Sequence, residues 1–83
     1  MKLTECKNKD YHYFEDEQGR LQGEYKAYRT NGTLIRKGFY KDDKPHGKYT
    51  YYYENGSIEE IKYYSMGKNI TKKMEKINAI LKL

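Results

Sequence analysis

Cysteine is all but missing from this chain, and long apolar runs are missing altogether. Cys6 stands alone, so no disulfide can close within the chain, and a reducing compartment is the expected setting. No apolar run nears the roughly 18 residues that a membrane-spanning helix requires. The N-terminus carries no apolar core of the secretory type, which makes a soluble, cytoplasmic protein the expectation. Histidine is as scarce, with His12 and His46 the only two. Together with Cys6 they are too few and too scattered for a zinc site. Either histidine beside Cys6 could in principle stabilise a thiolate, but no spacing in the sequence orients such a pair. Neither a phosphate loop nor a nucleophile elbow occurs. Asp42, Asp43 and Glu54 read as solvated turn residues rather than calcium ligands. No catalytic, cofactor-binding or metal-binding residue is expected, and the chain is not read as an enzyme.

What is present is polar and aromatic at once. Hydrophobic residues make up 36% and charged residues 35% of 83 positions, and a chain this short has a thin core in any case. Aromatics compensate. At 16%, with eleven tyrosines, they bring large buried area and a polar tip that can stay wet. Disordered chains are poor in such residues. The net charge of +5 is unevenly placed: residues 20–47 hold seven basic and three acidic side chains, and residues 68–83 hold five and one. Basic stretches of this kind can attract an acidic partner. Equally, lysines keep small sheets soluble and block edge pairing.

One pattern is written twice. Gly23-Glu24-Tyr25 through Asn31-Gly32-Thr33-Leu34 returns 24 residues later as Gly47-Lys48-Tyr49 through Asn55-Gly56-Ser57-Ile58. The offset continues through Phe39/Tyr63 and Tyr40/Tyr64. Across the 21-residue blocks 23–43 and 47–67, six positions are identical. A fixed period of this length marks stacked repeats rather than one irregular domain.

The periodicity within each block is that of strands. Tyr11-His12-Tyr13-Phe14 reads as a first aromatic strand after a loose lead-in or short edge strand at residues 1–9. Leu21 to Arg29 alternates, with Tyr25 and Ala27 opposite Lys26 and Tyr28. Asn31-Gly32 and Asn55-Gly56 are strong hairpin signals. Thr33 to Lys41, Lys48 to Glu54 and Ser57 to Tyr64 supply the remaining strands, with a longer loop over 42–47. The expected fold is mainly β: an antiparallel meander of about five strands over residues 10–67. From Asn69 the period changes. Ile70, Met74, Ile77, Ile80 and Leu81 form one stripe, opposite Lys72, Lys76 and Lys82, which predicts an amphipathic helix over 69–83 with Asn69 as its N-cap. Packed on the sheet, this helix would supply the missing half of the core. The whole chain, 1–83, reads as a single domain.

These residues carry a family resemblance. The repeated Gly-x-Tyr, Tyr-x-x-Asn-Gly-x-Leu/Ile and Phe/Tyr-Tyr elements resemble MORN-type repeats, most closely the divergent bacterial variant built on a Tyr-x-x-Asn-Gly-x-Leu core. The resemblance covers about Leu21 to Lys68, with Gly19-Arg20-Leu21 as an echo of a truncated earlier copy. It implies an elongated sheet of stacked hairpins with aromatic residues in its groove, and protein–protein or, for some relatives, membrane-lipid contact. Small bacterial proteins with this variant are often classed as antitoxin-like. With only two full repeats, a helical cap or dimerisation is expected to complete the structure.

Tyr25/Tyr49 and Phe39/Tyr63 are the expected repeated core, because a structural repeat keeps its packing residues. Tyr51 and Tyr53 have Ala27 and Arg29 as counterparts, so the repeat does not require them. Tyr28, Arg29, Arg36, Tyr51 and Tyr53 are therefore the candidate partner-binding residues, since Tyr and Arg are favoured interface anchors. The leading expectation is a non-enzymatic protein-binding module, antitoxin-like or inhibitory, that also pairs with a second copy of itself. A nucleic-acid binder is the alternative, with tyrosines stacking bases beside Arg29, Arg36, Lys37 and Lys41. Against it stand Glu54, Glu59 and Glu60, next to the tyrosine-rich strand. A further alternative is contact of the lysine-rich helix with an anionic membrane surface, although a membrane partner is the least expected of the three.

Overall fold

The computed structural model describes residues 2–81, with side chains through Ala79. Its strands are β1 (Thr4–Lys7), β2 (Tyr11–Glu15), β3 (Gly23–Tyr28), β4 (Leu34–Lys41), β5 (Lys44–Pro45), β6 (Gly47–Tyr52), β7 (Ile58–Ser65) and β8 (Lys68–Asn69), followed by helix α1 (Thr71–Leu81). All pairings are antiparallel, in the order β1-β2-β3-β4-β6-β7-β8, with β5 folded back on β4. The mainly β meander with a C-terminal helix is therefore correct. The strand number differs, being eight among the described residues rather than five. The polar N-terminus supplies β1, and two-residue returns supply β5 and β8. The expected helical residues Lys82 and Leu83 lie outside the described residues.

The 24-residue period is visible in the hydrogen-bond register. Gly23 lies opposite Tyr40 and Tyr25 opposite Gly38; Gly47 lies opposite Tyr64 and Tyr49 opposite Lys62. Both hairpins slip register at the equivalent place, between Ala27 and Tyr28 and between Tyr51 and Tyr52. In each hairpin the second strand carries one extra residue there, Ile35 or Glu59, with no opposite number. Gly32 and Gly56 both sit at φ 87°, and each closes a turn onto the residue three before it, Arg29 or Tyr53. That is a three-residue loop ending in a left-handed glycine. The Asn31 Oδ1 accepts the backbone N–H and hydroxyl of Thr33, and Asn55 does the same for Ser57.

The stretch 42–47 is not a long loop. Asp42 and Asp43 have φ 51° and 67°, and their equivalents Met66 and Gly67 have 47° and 89°. Two positive φ values in succession make a tight two-residue hairpin turn that follows sheet twist. Aspartate at left-handed φ costs free energy, and neighbouring chain offsets it. Asp43 Oδ1 accepts the Leu21 N–H at 2.7 Å, while Asp42 N–H donates to Gln22 Oε1 at 3.1 Å. One period later His46 Nδ1 takes the place of the Gln22 oxygen and accepts the Met66 N–H at 3.1 Å.

Helix α1 begins where a further strand would follow, since residues 47–52 shifted by the period fall on 71–76. Asn69 Oδ1 again accepts the N–H and hydroxyl of the residue two on, here Thr71. Ile70, rather than Asn69, is the cap position, because its carbonyl accepts the first helical bond from Met74. The helix packs against β7, beside Ile61 and Tyr63. It closes the end of the sheet and does not lie across it, contrary to the expected face-covering role. Extents of 42 × 33 × 17 Å are those of a single thin layer.

Candidate functional site

With no second layer, the sheet makes its own core from tyrosines on one face. Tyr11, Tyr25, Tyr40, Tyr49 and Tyr64 form a ladder across β2, β3, β4, β6 and β7, with successive ring centroids 6.1, 5.2, 6.3 and 5.2 Å apart. The last three contacts are edge-to-face, at 81°, 81° and 73°, which sets positive ring edges against negative faces. Four such contacts supply about 2–6 kcal/mol beyond burial, a large share of the roughly 5–15 kcal/mol expected of a domain. Tyr25 and Tyr49 are buried, as expected of the repeated core. Phe39 is not: it is 47% exposed. It belongs to the opposite face, and its neighbour Tyr40 takes the core place.

Tyr49 is the keystone. It is 4% exposed, its ring lies against the backbone of Gly38, and its hydroxyl donates to the Phe39 carbonyl at 2.7 Å. Burial, reinforced by Tyr40, pushes its phenol pKa far above the usual tyrosine range.

At the turn-proximal end of the ladder the packing gives way to a more open polar cluster. Arg36 lies opposite Tyr51 across the β4–β6 pair. Its guanidinium donates to the Tyr25 hydroxyl at 3.2 Å and stands 5.8 Å from the Tyr25 ring centre. Lys62 Nζ stands 5.4 Å from the centre of the Tyr51 ring. Glu60 lies opposite Tyr51 on the other side. Burial and the Tyr64 hydroxyl raise the Tyr51 pKa, with Arg36 acting the other way. This is an aromatic ring between two cations and a carboxylate, half-buried and reachable from solvent.

The five candidate residues do not form one patch. Arg36 and Tyr51 share the ladder face. Tyr28 lies opposite Leu34 beyond the register slip, on the other face from Tyr25 and Ala27. Arg29 turns inward, its Nη2 donating to the Tyr52 carbonyl at 2.6 Å while its Nε is buried without a partner. Tyr53, at the second turn, is 51% exposed. Sequence reasoning missed Lys62, whose place over Tyr51 depends on the bulged register.

The other reactive residue types are held apart. Cys6 lies opposite Tyr13, and His12 opposite the adjacent Lys7, so Cys6 and His12 project from opposite faces. His12 Nε2 meets Glu5 at 2.6 Å, and His46 serves the turn at Met66. No cluster of three metal-type ligands occurs among the described residues, and no described helix is long and apolar enough to cross a membrane. A carboxylate cluster unseen in the sequence does stand out. Asp16 is buried and accepts from the Gln18 and Arg20 backbone N–H groups, Arg20 Nε and Gln22 Nε2 at 2.8–3.0 Å. Burial alone would raise its pKa; the hydrogen bonds prevail and hold it well below the usual carboxylate range. Asp16 thereby fixes the loop that grips the Asp42-Asp43 turn.

The chain matches no protein-family model, no curated protein and no solved structure.

Proposed function

We propose that this chain is a non-enzymatic, cytoplasmic protein-binding module of MORN-like repeats, antitoxin-like or inhibitory, that engages its partner through the ladder face. The observation that carries the reading is the half-buried Tyr51, flanked by Arg36 and Lys62 on a face that the helix leaves open. Aromatic and arginine anchors on a rigid sheet are what protein interfaces concentrate. Arg36, Tyr51 and Lys62 form its centre, with Tyr53 at the rim. Arg29 and Tyr28 then act by shaping the turn and the opposite face. Glu60 beside Tyr51 disfavours a phosphate backbone at this place. The outer edge of β1 is unpaired within the sheet, and pairing of two copies through it would bury that edge.

The test is capture of a partner from native lysate by the wild-type chain and by a Tyr51→Ala/Arg36→Ala variant, with and without nuclease and at raised salt. The reading expects one protein that survives nuclease and salt and is lost with the variant. Capture that vanishes with nuclease, or falls by several powers of ten with salt, would transfer the function to nucleic acid. Recovery only with anionic vesicles, through the exposed Lys72, Lys73 and Lys76 of α1, would transfer it to membranes.

A further inference from the structure

We infer that the face opposite the tyrosine ladder is a second docking surface, shaped for an acidic polypeptide segment that carries an apolar side chain. It is separate from the ladder face, and either surface can fail its test alone.

The first observation is a cluster of like charges that folding does not explain. Lys26 and Lys37 lie directly opposite each other across β3 and β4, an arrangement that destabilises a sheet. Lys37 in turn lies opposite Thr50, and Lys48 follows two residues away on the same face of β6. Only Glu24 offsets the three, reaching Lys26 Nζ at 3.0 Å. Among the described residues Lys37 and Lys48 have no acidic partner within ion-pair distance. Lysines placed merely for solubility would be better spread over alternate positions or set opposite the available glutamates.

The second observation is shape. The same three lysines border an open groove of about 420 Å³ whose other walls include Phe39, Tyr52 and Ile58. Phe39 is 47% and Ile58 54% exposed, so two large apolar side chains stand in water beside uncompensated cations. Such a pairing fits carboxylates on the lysines and one apolar side chain between Phe39 and Ile58. The occupant is polypeptide because the exposed Phe39 and Ile58 call for an apolar side chain beside the anionic groups, which a phosphate backbone does not carry. A groove recessed between strands does not meet a flat bilayer.

The experiment is a backbone-amide NMR titration of the whole chain with a short peptide of aspartates and glutamates around a central phenylalanine. The expected result is saturable shifts at Lys37, Phe39, Thr50 and Tyr52. Lys37→Glu/Lys48→Glu should weaken binding by about tenfold or more. Lys37→Glu replaces a repulsion across the strand pair by an attraction, so its melting temperature should rise, which separates lost binding from lost folding. Undiminished binding by the double variant would overturn the inference, as would no binding by the wild type. Shifts confined to Arg36, Tyr51 and Lys62 would overturn it too, while leaving the ladder-face reading intact. So would displacement of the peptide by phosphatidylserine vesicles or a single-stranded oligonucleotide more readily than by unlabelled peptide.

Discussion

Replacing Gly38 by alanine adds a single methyl group, and the structure makes that methyl expensive. A Cβ at Gly38 would stand 2.5 Å from three ring atoms of Tyr49, where ordinary carbon contacts lie at about 3.5–4.0 Å. The ring would have to retreat by roughly 1 Å, and its freedom to do so is small. It is wedged between Tyr40 and Tyr64 at 6.3 and 5.2 Å, and its hydroxyl is tied to the Phe39 carbonyl. Overpacking a close-packed site costs about 1–3 kcal/mol, and a broken hydrogen bond adds about 1 kcal/mol. Stiffening of the unfolded chain returns about 0.4–1 kcal/mol. The expected balance is a loss of about 1–3 kcal/mol, or a melting temperature lowered by about 5–20 °C for a domain of this size. Thermal unfolding followed by circular dichroism measures it. A double-mutant cycle sharpens it: in a Tyr49→Ala background the clash is gone, and Gly38→Ala should become neutral or stabilising. A Gly38→Ala variant that melts at or above the parent temperature would refute the account of the ladder.

Other consequences are equally direct. The low pKa of Asp16 means that its hydrogen bonds stabilise the fold above the unfolded value of about 3.9 and are lost as pH falls toward the folded value; acid unfolding should steepen there, and Asp16→Asn should melt lower at neutral pH with that acid limb flattened. Tyr49 has the opposite sign: stability is complete below the unfolded value of about 10 and declines as pH rises above it, a decline that Tyr49→Phe should reduce in alkaline melts. Asn31→Ala and Asn55→Ala should each cost about 1 kcal/mol by removing a turn acceptor, and the two losses should add because the hairpins are distinct. If the combined variant loses much less than the sum in denaturant titrations, the turns are not acting independently.

The architecture was legible because its signals are local. Asn-Gly turns, period-two alternation and the 24-residue offset each act within one hairpin, and consistency among them specifies the meander. The strand count was not, because β5 and β8 are two residues long, too short for alternation to register, and one of their turns rests on a left-handed methionine, Met66, which no turn rule selects. The tie of the Asp42-Asp43 turn to Leu21 and Gln22 spans about twenty residues, a distance over which sequence pattern is silent. The site was half legible for a similar reason. Tyr51 and Arg36 stand out as departures from the repeat. Tyr28 and Phe39, read as a binding and a core residue, lie on the lysine-bearing side because alternation along β3 and β4 sets Tyr28 with Lys26 and Phe39 with Lys37.

Gly38 and Lys62 show how the repeat ends and what its end makes available. The two positions are equivalent, lying opposite Tyr25 and Tyr49. Glycine is required at 38 because the tyrosine of the following strand must lie flat on that backbone. After β7 and the two-residue β8, no strand equivalent to β6 follows among the described residues, since α1 takes up the next stretch of chain. The constraint is therefore lifted at 62, and a long cation can stand where a ring would otherwise press. Lys62 uses that freedom to reach across to the Tyr51 ring. The candidate site thus lies where the repeat stops stacking on itself: the aromatic surface that inner strands consume in their own core is, at the last strand, left uncovered.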